Sequence, residues 1–163
     1  MDSLVNIIGY ILKNYPFPDD MSNSRITKLI YLSDWKSAIE RGETVSGINW
    51  YFNHHGPYVD DIIDTLTKNE CFEVITTQTI FGGKKKLARL KSPDETFEVE
   101  EFTEKCLKFV VKKTKDRKYD DFIEFVYSTY PVVVTEKYNK LDLVELAKDY
   151  KEIAGNELKL GFS

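Results

Sequence analysis

The segment from Phe72 to Leu90 constrains the fold more than any other. Phe72 to Phe81 is rich in β-branched and aromatic residues, Gly82-Gly83 interrupts it, and Lys84 to Leu90 follows. Two strand-forming runs around a Gly-Gly step predict an antiparallel hairpin with a tight turn. Positive φ is expected at Gly83, so a β-branched residue there would be poorly tolerated. Thr96 to Val99 predicts a short third strand.

The rest of the chain is patterned for helices. Leu4, Val5, Ile7, Ile8, Ile11 and Leu12 recur at helical spacing, and Pro16 and Pro18 end that segment. Ser22, Asn23 and Ser24 offer caps for a second helix with an inner stripe of Ile26, Leu29, Ile30 and Ser33. Gly42 reads as its left-handed terminator. Trp50 and Phe52 predict a short extended segment. Pro57 suits the first turn of a third helix continued by Val59, Ile62, Ile63 and Leu66, with Asp60 and Asp61 favoured at its start by the helix dipole. Phe102, Cys106, Phe109 and Val110 start another helix. Tyr119, Phe122, Ile123 and Val126 form a further one that Pro131 stops, and Leu143 to Tyr150 forms the last. The reading is an α+β, mainly helical class, a compact helical body with an inserted antiparallel β-hairpin or small sheet. With 163 residues, one domain over 1–154 is expected, followed by a short C-terminal tail, 155–163.

No apolar run approaches the roughly 18–20 residues that span a bilayer, and the first residues read as a helix, not a signal peptide. Cys71 and Cys106 are expected as free thiols in a reducing compartment, which places the chain in the cytoplasm. The net charge of −4 argues against nucleic-acid binding. The charge is nevertheless segregated. Lys84, Lys85, Lys86, Arg89 and Lys91 make 84–91 basic, and bases outnumber Asp116 across 105–118. The acids from Asp94 to Glu104 are expected nearby as a balancing surface.

Chemistry is weakly signalled. His54, His55, Cys71 and Cys106 lack the spacing of a zinc site. Cys71, His55 and Asp60 form a nucleophilic set only on paper. The run "FGGKKK" lacks the glycine spacing and terminal Ser or Thr of a phosphate loop. No catalytic residue, metal or cofactor is expected, and the chain does not read as an enzyme.

The segment "ITKLIYLSDWKSAIERGETVSGINWYFNHHGPYVDDI", residues 26–62, resembles the Panacea domain, also called the SocA-like antitoxin domain. The resemblance rests on Lys28, Leu29, Ile30, Tyr31, Leu32, Ser33 and Asp34, then Trp50 and Phe52, then His55, Gly56, Pro57 and Tyr58. The chain has Thr27 where the family often has glutamine, and "YSTYPVVV" where it often has a histidine. The resemblance implies a protein partner: a toxin encoded by an adjacent gene, neutralised by direct contact, often in phages and mobile elements. A protease adaptor or general protein-interaction module is the alternative. A nucleic-acid binder using 84–91 and 105–118 is the other. Lys84, Lys85, Lys86, Tyr127 and Tyr130 are candidate partner contacts. His55, Gly56 and Pro57 are expected to form a structural corner, with His55 bonding across it.

Overall fold

One helix organises the molecule. In the computed structural model, which describes residues 1–154, α2 (Asn23–Arg41) is buried from Arg25 through Ile39. Ser22 caps its start by accepting from the Arg25 amide at 3.2 Å. Gly42, at φ 72°, ends it and donates to Ala38 at 3.0 Å. The expected one-sided stripe is therefore wrong. Ile26, Leu29, Ile30 and Ser33 are buried, but so are Arg25, Thr27, Lys28, Asp34 and Trp35 on the other faces. A helix enclosed on all sides has no apolar stripe when its polar residues find buried partners.

The other helices surround it. α1 (Leu4–Asn14) is capped by Ser3 and buries Ile7, Ile8 and Ile11. α3 (Asp61–Lys68), α4 (Glu101–Thr114), α5 (Tyr119–Tyr127), α6 (Tyr130–Val134) and α7 (Leu143–Ala154) complete the body, with α4 and α7 packed along α2. Pro131 lies at the start of α6 rather than stopping a helix, because α5 already ends at Tyr127.

Two small sheets are separate. β1 (Trp50–Asn53) lies between β2 (Gly56–Tyr58) and β5 (Lys140–Leu141), all antiparallel, with Phe52 opposite Pro57 and Trp50 opposite Leu141. Pro57 thus sits in an edge strand, where a missing amide is tolerated, and not in a helix. α3 starts later, after Asp60. The hairpin is as expected: β3 (Phe72–Gln78) pairs with β4 (Lys84–Leu90) from Phe72↔Leu90 to Gln78↔Lys84. Its positive φ falls on Gly82, at 81°, and not on Gly83. The Ala88 amide donates to Met21 at 2.8 Å and Arg89 donates to Pro18 at 2.7 Å, tethering β4 to the approach to α2.

Thr96 to Val99 forms no strand. Phe97 instead stacks on Phe72 at 5.9 Å and covers Gly9 of α1 so closely that a Cβ there would lie 2.2 Å from its ring. Cys71 and Cys106 are free. Among the described residues, no helix is long and apolar enough to cross a membrane. The expected tail, 155–163, lies outside the described residues.

Candidate functional site

The midpoint of α2 is a structural clamp. Asp34 is fully buried, and its Oδ1 accepts from the Val45 amide at 2.9 Å and the Ser46 amide at 3.0 Å. Its Oδ2 accepts from the Trp50 indole at 2.8 Å and from the Ser46 hydroxyl. Burial pushes the carboxyl up to about 6, while these donors pull it back. The carboxylate thereby fixes the loop after α2 and the start of β1. Beside it, the Tyr31 hydroxyl shares a 2.8 Å bond with Thr129, and its ring meets Trp50 edge-on at 5.6 Å. Leu29 is core. Tyr130 stacks on Trp35 at 6.4 Å, so this candidate contact is tied to the interior.

The histidine corner differs from expectation. His55 is exposed and, among the described residues, makes no hydrogen bond across the turn; its ring lies 4.4 Å from that of His54. The close packing comes from its neighbour. Gly56 has φ 100°, and a Cβ on it would stand 3.1 Å from the Tyr127 ring. Tyr127 also meets Phe52 edge-on at 6.1 Å. The β1–β2 turn is shaped by Gly56 against Tyr127, while His55 points away into solvent.

The candidate site is the N-terminal end of α2, where distant segments meet. Lys28 is 1% exposed, and its ammonium donates to Ser24 Oγ at 3.4 Å. Burial pulls its pKa down to about 8. Ser24 Oγ and the Tyr119 hydroxyl share a 2.8 Å bond. Tyr127 is raised by burial and then by Tyr119, which places that phenol in the same neighbourhood. Asn23 donates to the Tyr58 hydroxyl at 3.3 Å. A cleft of ≈ 390 Å³ opens beside this group, with Ser22, Ser24 and Tyr119 on one side and Lys84, Lys85 and Lys86 on the other. Arg25 also borders it but is engaged: it donates to Tyr15 at 3.1 Å, to the Thr114 carbonyl at 3.0 Å and to the Arg117 carbonyl at 2.8 Å.

Lys28, Tyr58, Tyr127 and the three lysines therefore share one end of the molecule, whereas Asp34 and Trp50 belong to the clamp. Ser24 and Tyr119 were not singled out as site residues. The spacing of Ser24 and Lys28 on one helix face was the available signal for Ser24; Tyr119 reads in the sequence only as the start of a helical face.

The basic stretches also separate. Lys85 donates to the Asp19 carbonyl at 2.5 Å, and Asp20 borders the same cleft. The acids from Asp94 onward follow Leu90, at the opposite end of the hairpin from Lys84, so they do not offset these lysines as expected. In 105–118, Lys108 pairs with Glu104, Arg117 pairs with Asp121, and Arg117 lies over the Phe125 ring. Cys71 faces Glu95 at 3.6 Å rather than a histidine. Among the described residues, no group of three or more His, Cys, Asp or Glu side chains is arranged to hold a metal.

No curated protein and no solved structure matches this chain. The family described as "Antitoxin SocA-like, Panacea domain" matches residues 26–131, which run from the first turns of α2 to α6. This stretch covers about two thirds of the chain and contains the clamp, the β1–β2 turn, the hairpin, Lys28 and Tyr119, with Ser22, Asn23 and Ser24 just ahead of it, so the chain belongs to the SocA-like Panacea domain family.

Proposed function

We propose that this chain is a protein-binding, antitoxin-like module that neutralises a cognate toxin by direct contact. Family membership gives the broad antitoxin association. The observation that carries direct contact is the hairpin tip, where Ile80 is 98% and Phe81 97% exposed. Two adjacent large apolar side chains in water are costly for a folded chain unless a partner covers them. Among the described residues β3 pairs only with β4, so the tip stands on a two-stranded sheet. An aromatic anchor flanked by solvated cations fits the anatomy of a protein interface, with a desolvated centre and a charged rim.

The test is co-expression with the product of the adjacent gene, read as growth rescue and co-purification. Rescue by the wild-type chain, lost in Ile80→Ser/Phe81→Ser with an unchanged melting temperature, supports the reading. Full rescue by that double variant removes the tip from the interface. Absence of both rescue and co-purification overturns direct neutralisation.

A further inference from the structure

The cleft at the head of α2 is cationic on several independent elements. Lys84 and Lys86 project from β4 with exposed side chains. Among the described residues, Lys28, Lys84 and Lys86 form no ion pair. The first turn of the 19-residue α2 faces the same opening through Ser22 and Ser24, which brings the positive end of a long helix dipole to it. Tyr119 adds a hydroxyl, and Asp20 is the acid on the lining.

Lys28 gives the cleft a direction. Lys28 does not itself line the cleft, but its ammonium donates to Ser24, which with its partner Tyr119 forms part of the wall. A buried ammonium normally has a carboxylate or several acceptors around it. Here, among the described residues, the one hydrogen bond is long, to a hydroxyl that is itself shared. A positive charge thus lies one hydrogen bond from the wall, and because one hydroxyl proton is spent between Ser24 and Tyr119, the pair has one proton left to donate outward.

We infer that this cleft binds an acidic stretch of a partner protein, with one carboxylate seated against Ser24 and Tyr119, in front of Lys28, and its neighbours held by Lys84 and Lys86. The carboxylate would accept from the hydroxyl of the pair that is left to donate, as a charge-assisted bond stronger than a neutral one. The exposed lysines would act mainly on encounter rate and the buried one on residence time. The inference rests on the protein-binding reading and names the chemistry of one part of the partner.

The test uses the full chain and labelled hexaglutamate, with hexaglutamine as control, followed by fluorescence anisotropy at low and at physiological salt. The expected result is saturable, salt-sensitive binding of hexaglutamate and none of hexaglutamine. Lys84→Gln/Lys86→Gln should weaken it about tenfold. Lys28→Met should weaken it about fivefold without lowering the melting temperature, a combination that a merely structural lysine would not give. Absence of hexaglutamate binding, or equal binding by Lys28→Met, overturns the inference. Displacement of the peptide by equimolar inorganic phosphate reassigns the site to free phosphate and overturns it. Tighter binding of duplex DNA, lost in the double variant, overturns it in favour of nucleic acid. Toxin rescue that persists when hexaglutamate fails to bind would reject the acidic-peptide cleft while leaving the protein-binding module standing.

Discussion

Lys28 and Asp34 are both buried on α2, about 9 Å apart along its axis at a helical rise of about 1.5 Å per residue, yet they are housed differently. Asp34 accepts from four donors and joins three parts of the chain. Lys28 has, among the described residues, one long bond to a serine. Burial alone penalises the charged form of each, so what separates them is satisfaction. A buried charge surrounded by partners is part of the scaffold. One left short of partners is held in readiness for something that arrives from outside.

The comparison can be broken most directly at the clamp. Asp34→Ala should remove about 3–5 kcal/mol of stability, because it leaves the Trp50 indole and two backbone amides without their acceptor. Chemical denaturation measures this, and a loss under about 1 kcal/mol would show that water replaces the carboxylate freely.

Lys28→Met should move the other way and raise stability at neutral pH by on the order of 1–2 kcal/mol, since an apolar chain of similar length replaces a poorly satisfied charge. The sign also appears in the pH profile. Folding lowers the lysine from 10.5 to about 8, so the unfolded chain holds more protons between those values. Lys28 therefore makes stability increase as pH rises through that window, and it keeps its full penalty below about 8. Asp34 acts in the opposite sense, lowering stability as pH climbs from 3.8 to about 6. Melting curves of wild type and Lys28→Met should converge toward pH 10.5; parallel profiles would mean that the amine titrates normally.

Tyr31→Phe tests the scaffold with a neutral group. Losing its bond to Thr129 should cost about 1 kcal/mol, because Thr129 keeps its own bond to Val126. The smallest effect is expected at His55→Ala, within about 0.5 kcal/mol, since the ring is exposed and unbonded among the described residues. A loss of more than about 1 kcal/mol there would restore the histidine as a structural joint.

What was legible in the sequence was local. Ser22 and Gly42 bracket α2 because a cap and a left-handed terminator act within one turn, and Gly82-Gly83 marks the hairpin because turn geometry needs no distant partner. Of the clamp, the sequence showed Tyr31, Asp34 and Trp50 as members of a family-like run but not their contacts, since Val45, Ser46 and Trp50 give no sign of where they will donate. Ser24 meets Tyr119 across 95 positions of chain, and Phe97 covers Gly9 only after folding. Pro57 misled because a proline that can open a helix can also end a sheet, and the pairing of β1 decided between them. His55 misled because its conspicuous neighbours, Gly56 and Pro57, are buried while it is not.

The exposure of the hairpin tip has an evolutionary consequence. The turn is held by β3–β4 pairing and by Thr79 bonding Gly82 and Gly83, while Ile80 and Phe81 stand in solvent. Mutations at Ile80 and Phe81 are therefore nearly invisible to folding, while Gly82 stays constrained by its φ of 81°, and lengthening the turn costs only about 0.6 kcal/mol of loop-closure entropy per doubling. Such a segment can drift, be exchanged or be extended while the clamp and α2 stay under selection for packing. One inherited scaffold can then follow a changing partner by rewriting a handful of codons.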